Sequence, residues 1–173
     1  MKRFSAYLVY LLFLFLLGIF RILPFPLFYI LSSFNYFLLY RVAGYRRRVV
    51  RGNLLKAFPE KTIGERLRIE KSFYRNLADI FMESLKGYAL RPEELFKRFT
   101  VPGYDAYQKL EKQYPNIIVA SAHCGNWEWG ALAAPLLMKY RTYGLYKPIA
   151  NTYIDAYIRR TRAVHGMHLV PIV

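Results

Sequence analysis

The sequence predicts an α/β protein. It should have a parallel-sheet core, incomplete at the C-terminus, preceded by an N-terminal transmembrane helix and amphipathic helices. Three observations lead there. Residues 4–20 and 22–40 carry no charge and are separated only by Arg21. Residues 62–87 place apolar side chains at helical spacing, and from Asn116 short apolar runs alternate with helical stretches in the order β-α-β-α-β. The chain divides accordingly into a membrane anchor and interfacial helix (1–42), a basic and amphipathic helical segment (43–98) and the N-terminal part of an α/β domain (99–173).

The first apolar run sets the N-terminal element. A helix from Phe4 to Leu23 is roughly 30 Å long, the hydrocarbon thickness of a bilayer. Arg21 falls near its end, where a long side chain reaches the headgroups. Pro24 and Pro26 stop this helix and start a second segment, whose Ser32, Ser33 and Asn35 suit an interfacial or re-entrant placement. Lys2 and Arg3 resemble the start of a cleavable leader, but no small-x-small cleavage pattern follows Phe20, which favours a retained anchor.

Arg41, Arg46, Arg47, Arg48, Arg51 and Lys56 come next, and the first acidic residue is Glu60. Beside a lipid-length apolar run such a cluster seeks anionic headgroups and holds the body of the protein on the cytoplasmic side. The competing readings are a solvated helix face and a nucleic-acid patch. No nucleic-acid partner is expected. The whole chain has 26 Lys and Arg against 11 Asp and Glu, a net charge of +15. With 55% hydrophobic and 18% aromatic residues, it is excluded from the disordered basic tails. One Cys excludes a disulfide scaffold, so burial must hold the fold together.

Thr62-Ile-Gly-Glu65 is a capping-box pattern that opens a long amphipathic helix ending near Gly87. Arg91-Pro-Glu-Glu94 starts a short helix, residues 99–101 read as a short strand, and Asp105–Gln113 looks helical. Ile117–Ala122 has the continuous apolar texture of a strand buried on both faces. A loop at His123–Gly125, a helix over 126–139, a strand over 142–146, a helix over 151–164 and a strand over 169–173 complete the α/β layer. The chain ends inside this last apparent strand, as a truncated sheet would.

The block Ala122-His-Cys-Gly-Asn-Trp-Glu128 carries the candidate chemistry. It follows a strand and opens a helix, the position where parallel sheets gather ligands and where a helix N-terminus favours an anion. With His123 in the loop, the chain can fold back so that Glu128 orients one imidazole nitrogen and leaves the other basic. The plain alternative is that His123 satisfies a loop backbone group and Glu128 caps a helix. Both readings stand at this point. Asn126 suits an N-cap and Gly125 a tight turn.

Several blocks together resemble the late acyltransferases of lipid A biosynthesis, within the lysophospholipid acyltransferase superfamily. They are the N-terminal anchor, Arg51-Gly-Asn-Leu-Leu-Lys-Ala-Phe-Pro-Glu60, the His-x4-Glu block, and Tyr146-Lys-Pro-Ile-Ala-Asn-Thr-Tyr-Ile-Asp155 followed by Arg162. The resemblance implies a glycerolipid-acyltransferase-like core at the cell inner membrane. It further implies acyl transfer from an acyl carrier protein thioester, or acyl-CoA, to a hydroxyl of a lipid A precursor, an anionic glycolipid. His123 would then be the general base, Glu128 its orienting carboxylate and Arg162 the motif arginine, with Asn126, Lys147 and Arg159 binding substrate. A net positive charge would attract both an acidic carrier and a phosphorylated acceptor.

Rival readings remain. A lysophospholipid or another glycolipid could be the acceptor, or the chain could bind anionic lipid without catalysis. Cys124 as an acyl-enzyme nucleophile is disfavoured, because adjacent side chains point apart and a lone Cys is usually a small hydrophobe. His123, His165 and His168 make a poor zinc signature, so neither metal nor cofactor is expected.

Overall fold

The computed structural model describes residues 2–172. They form two compact units, residues 22–83 and residues 2–21 with 84–172.

The first unit is helical. Extended backbone at Pro24 ends the preceding helix, and α2 (Phe25–Phe37) starts with Pro26 in its first turn, where the missing N–H costs nothing. A π-helical turn (Leu38–Val42) continues it. Next come α3 (Arg47–Ala57) and the main part of α4 (Ile63–Gly87). The capping box forms as the sequence predicts: the Glu65 carboxylate accepts from Thr62 N at 2.8 Å, and Glu65 N donates to Thr62 Oγ1 at 3.3 Å.

One face of α2 packs on α4. Phe28 and Ser32 are buried, and Ser32 Oγ donates to Asp79. In the π turn Tyr40 is buried beside Tyr74, with ring centroids 5.1 Å apart. Glu70 on α4 is buried and accepts from Arg51 Nε at 2.8 Å and Arg47 Nε at 3.3 Å. A buried carboxylate needs such partners to remain charged. Burial alone would raise the Glu70 carboxyl, but Arg51 and Arg47 outweigh it and hold the group below the ordinary range.

The second unit contains α1 (Lys2–Ile22), the end of α4, α5 (Pro92–Arg98), α6 (Tyr104–Gln113), α7 (Trp127–Leu137), β1 (Thr142–Tyr146), α8 (Thr152–Val164) and β2 (Met167–Pro171). β1 and β2 run parallel, with Thr142 opposite Met167 and Tyr146 opposite Pro171. They are joined through α8, as a parallel pair requires. Leu95, Trp129, Leu132, Ala133 and Met167 are buried in this unit. Gly87 closes α4 against Trp129. A Cβ at Gly87 would stand 2.7 Å from the indole Nε1.

The architecture is therefore mostly helical with a two-stranded parallel sheet, narrower than the three-strand layer expected. Residues 117–122 form no strand, and Ile118 is 99% exposed. An apolar run signals a demand for burial but not the ladder that meets it. Among the described residues β1 and β2 pair only with each other, and 117–122 gains no strand neighbour. Residues 99–101 are likewise irregular; the chain turns at Pro102–Gly103, where Gly103 has a left-handed φ of 79°. β2 starts at Met167, two residues before the expected strand, and Val173 lies outside the described residues.

Candidate active site

The site is built around Glu128 in the first turn of α7. Gly125 takes a left-handed φ of 60°, turning the chain into the helix. Asn126 then caps it, its Oδ1 accepting from Trp129 N at 3.1 Å. This geometry delivers Glu128 to the interior, where only 7% of the residue is exposed.

Two side chains hold the carboxylate. Arg162, in the last turn of α8, donates from Nη2 to Oε2 at 2.6 Å and to Oε1 at 2.8 Å. Tyr88, just beyond α4, donates its hydroxyl to Oε2 at 2.8 Å. Charge-assisted bonds of this length are the strong ones in proteins. Burial acts against the Arg162 charge, but the bond and charge of Glu128 more than offset it and raise the guanidinium pKa. Burial first, and then the Glu128 charge, push the Tyr88 phenol well up, so it stays a neutral donor. Arg162 Nε is buried without a hydrogen-bond partner among the described residues.

His123 lies in the exposed loop before α7, its ring packed on Trp127 with centroids 4.7 Å apart. Among the described residues no hydrogen bond joins it to Glu128. The structure thus brings Glu128 and Arg162 together and leaves the imidazole at the surface. Cys124 is exposed beside it. Asn126 occupies the N-cap, and Lys147 is exposed just past β1. Arg159 is exposed on α8, bordering a cavity of about 390 Å³ with Arg160, Ala156, Ala163 and His168. His165 Nδ1 meets Thr161 O at 2.9 Å, and Arg141 Nε donates to His168 Nε2 at 3.0 Å. Among the described residues no group of three or more His, Cys, Asp or Glu is placed to hold a metal ion.

Tyr88 is the residue that motif reading missed. It stands 40 residues before Glu128 and belongs to no periodic pattern. The one available signal was a polar aromatic immediately after the glycine that ends a long amphipathic helix.

The family model for the bacterial lipid A biosynthesis acyltransferases matches residues 2–172. The chain belongs to that family. It is therefore an acyltransferase, and membership of the lipid A biosynthesis acyltransferases implies a lipid acceptor and an acyl donor. No curated protein and no solved structure matches the chain significantly.

Proposed function

We propose that this lipid A biosynthesis acyltransferase works at the cytoplasmic face of the inner membrane. It moves a fatty acyl group from an acyl carrier protein or CoA thioester to a hydroxyl of a lipid A precursor. The observation that carries the reading is the His-x4-Glu block, with its carboxylate buried against Arg162 at 2.6 Å in a chain matched along residues 2–172.

His123 takes the proton from the acceptor hydroxyl, whose oxygen attacks the thioester carbonyl. The tetrahedral intermediate collapses as the C–S bond breaks, and the imidazolium returns the proton to the departing thiolate. Arg162 supplies positive charge near the developing oxyanion, and its unpartnered Nε is a donor available for that role. Glu128 organises this cation. Its Oε1 accepts one bond from Arg162 and keeps a lone pair able to orient a His123 N–H. Asn126, Lys147 and Arg159 contribute the polar and cationic surroundings of an anionic acceptor. α1 attaches the enzyme to the membrane, and the basic run from Arg41 to Lys56 draws the body to the anionic lipid of the cytoplasmic leaflet.

The test incubates membranes containing the protein with acyl carrier protein thioester, or acyl-CoA, and tetra-acylated lipid A precursor. Mass spectrometry then follows the added acyl chain. Wild type should yield the product and His123→Ala should not. Equal yields from the two would remove His123 from the mechanism. Product formed only on a lysophospholipid would replace the proposed acceptor.

A further inference from the structure

α1 is long and apolar enough to cross a membrane by length and composition, yet its two faces have different surroundings. Residues Phe4, Leu8, Leu11, Leu12 and Phe15 follow helical spacing and are exposed. On the opposite side Leu17 and Phe20 are buried, and contacts to α8 and to the end of α4 hold the helix at several points. Asn151 Nδ2, at the start of α8, donates to Ala6 O at 2.8 Å. The Tyr153 ring lies 5.4 Å from Tyr7 and 5.8 Å from Tyr10, and Tyr157 lies 5.5 Å from Phe13. At the other end Lys86 Nζ donates to Phe20 O at 2.6 Å.

These contacts constrain how α1 can meet lipid. If it crossed the bilayer, its first half would carry the start of α8 into the hydrocarbon. The irregular backbone of residues 147–151 would go with it, as would Asp155 and Arg159. Ionised side chains and non-helical backbone in contact with acyl chains are both strongly unfavourable.

We infer that α1 lies in the plane of one leaflet, its outward face among the acyl chains and its inward face on the catalytic unit, without crossing the bilayer. The inference rests on the membrane attachment proposed above and specifies its form.

The other unit supplies an independent observation of the same kind. Leu27, Ile30, Leu31, Phe34, Phe37 and Leu38 form one exposed face of α2 and the following π turn, while Phe28 and Ser32 on the opposite face are sealed against α4. Arg41, Arg46 and Arg48 follow, exposed, with no acidic residue before Glu60. An apolar face flanked by unopposed cations is complementary to an anionic lipid surface. The occupant proposed for each face, taken by itself, is a leaflet containing anionic lipid.

The test uses the full chain carrying Cys124→Ser, with a single cysteine introduced by Phe4→Cys, Leu8→Cys, Leu12→Cys, Phe15→Cys or Phe34→Cys. Each variant is labelled with an environment-sensitive fluorophore and reconstituted into vesicles of phosphatidylcholine and phosphatidylglycerol. Lys71→Cys, at an exposed position of α4, serves as the aqueous control. Depth is read with nitroxides placed at shallow and deep positions on the lipid chains, and access to water with iodide. The expected result is a blue-shifted emission at all five positions, quenched most by the shallow nitroxide and to a similar extent along α1. A depth profile that passes through the bilayer centre near Leu12 and returns to the surface at Phe4 would overturn the inference and leave membrane attachment intact. Iodide quenching at every position would overturn both. Labels on α1 shielded from iodide and nitroxide alike would mean that protein covers the face, which also overturns the inference.

Discussion

Glu128 and Arg162 lie 34 residues apart in the chain, and their carboxylate and guanidinium meet at 2.6 Å with both residues buried. The pair links the start of α7 to the end of α8. Removing one partner leaves the other charge buried without compensation, at a cost of about 3–5 kcal/mol. Arg162→Ala should therefore lower the denaturation midpoint strongly and abolish acyl transfer. Arg162→Lys should recover part of the stability but little of the turnover, because a single ammonium does not reproduce the fixed planar donor set of a guanidinium. Denaturant unfolding in detergent and the mass-spectrometric acyl-transfer assay provide the two readouts.

Tyr88 donates to Glu128 at 2.8 Å, and in the proposed mechanism it acts on the reaction only through that carboxylate. Tyr88→Phe keeps the ring and removes one hydrogen bond to a charged group, a loss of about 1.5–3 kcal/mol. The expected result is a lower kcat with nearly unchanged KM. In a Glu128→Gln background the same substitution should have a much smaller effect. Fully additive losses in that double-mutant cycle would assign Tyr88 a packing role alone.

Gly87 has no room for a side chain. A Cβ there would stand 2.7 Å from the Trp129 indole nitrogen and 3.3 Å from Leu132 Cδ1. The indole is rigid and buried, so Gly87→Ala should destabilise the catalytic unit by about 1–3 kcal/mol, more than alanine regains in helix propensity at a helix end. Thermal unfolding followed by tryptophan fluorescence measures the balance. An unchanged or raised midpoint would mean that α7 moves aside without strain.

The helical unit should respond to acid through Glu70. Its carboxyl is held below the ordinary value of 4.5 by Arg51 and Arg47, which outweigh the opposing effect of burial. A group whose pKa is lowered on folding contributes stability above its unfolded value, and that contribution is lost as pH falls through the folded one. Stability should therefore decline as the pH drops below about 4.5. Glu70→Gln should flatten this decline, seen as a smaller difference between denaturation midpoints at neutral and acidic pH.

The legible parts of this fold were those whose cause is local. The capping box at Thr62, the proline stop after α1 and the Asn126 cap each depend on residues within a few positions, and each forms at the expected place. The β1–α8–β2 unit was also readable, from alternating texture and turn residues. What failed depended on distant partners. Ile117–Ala122 has strand composition, but composition does not say which edge will accept it. The site followed the same rule. Glu128 could be picked out by its position after a strand-like run, and Arg162 by family resemblance. Neither their direct contact nor Tyr88's part in it has a signature in sequence spacing, because three separate elements must first pack together.

The exposed hexapeptide at 117–122 has a consequence for the behaviour of the chain in solution. Three of its six residues are β-branched, and it is uncharged and free of proline, a composition compatible with intermolecular cross-β structure. Two molecules that meet along it can each supply the ladder the other lacks. Self-association through this segment would scale with protein concentration and compete with membrane capture, so the yield of dispersed protein should depend on how soon a lipid or detergent surface receives it after synthesis.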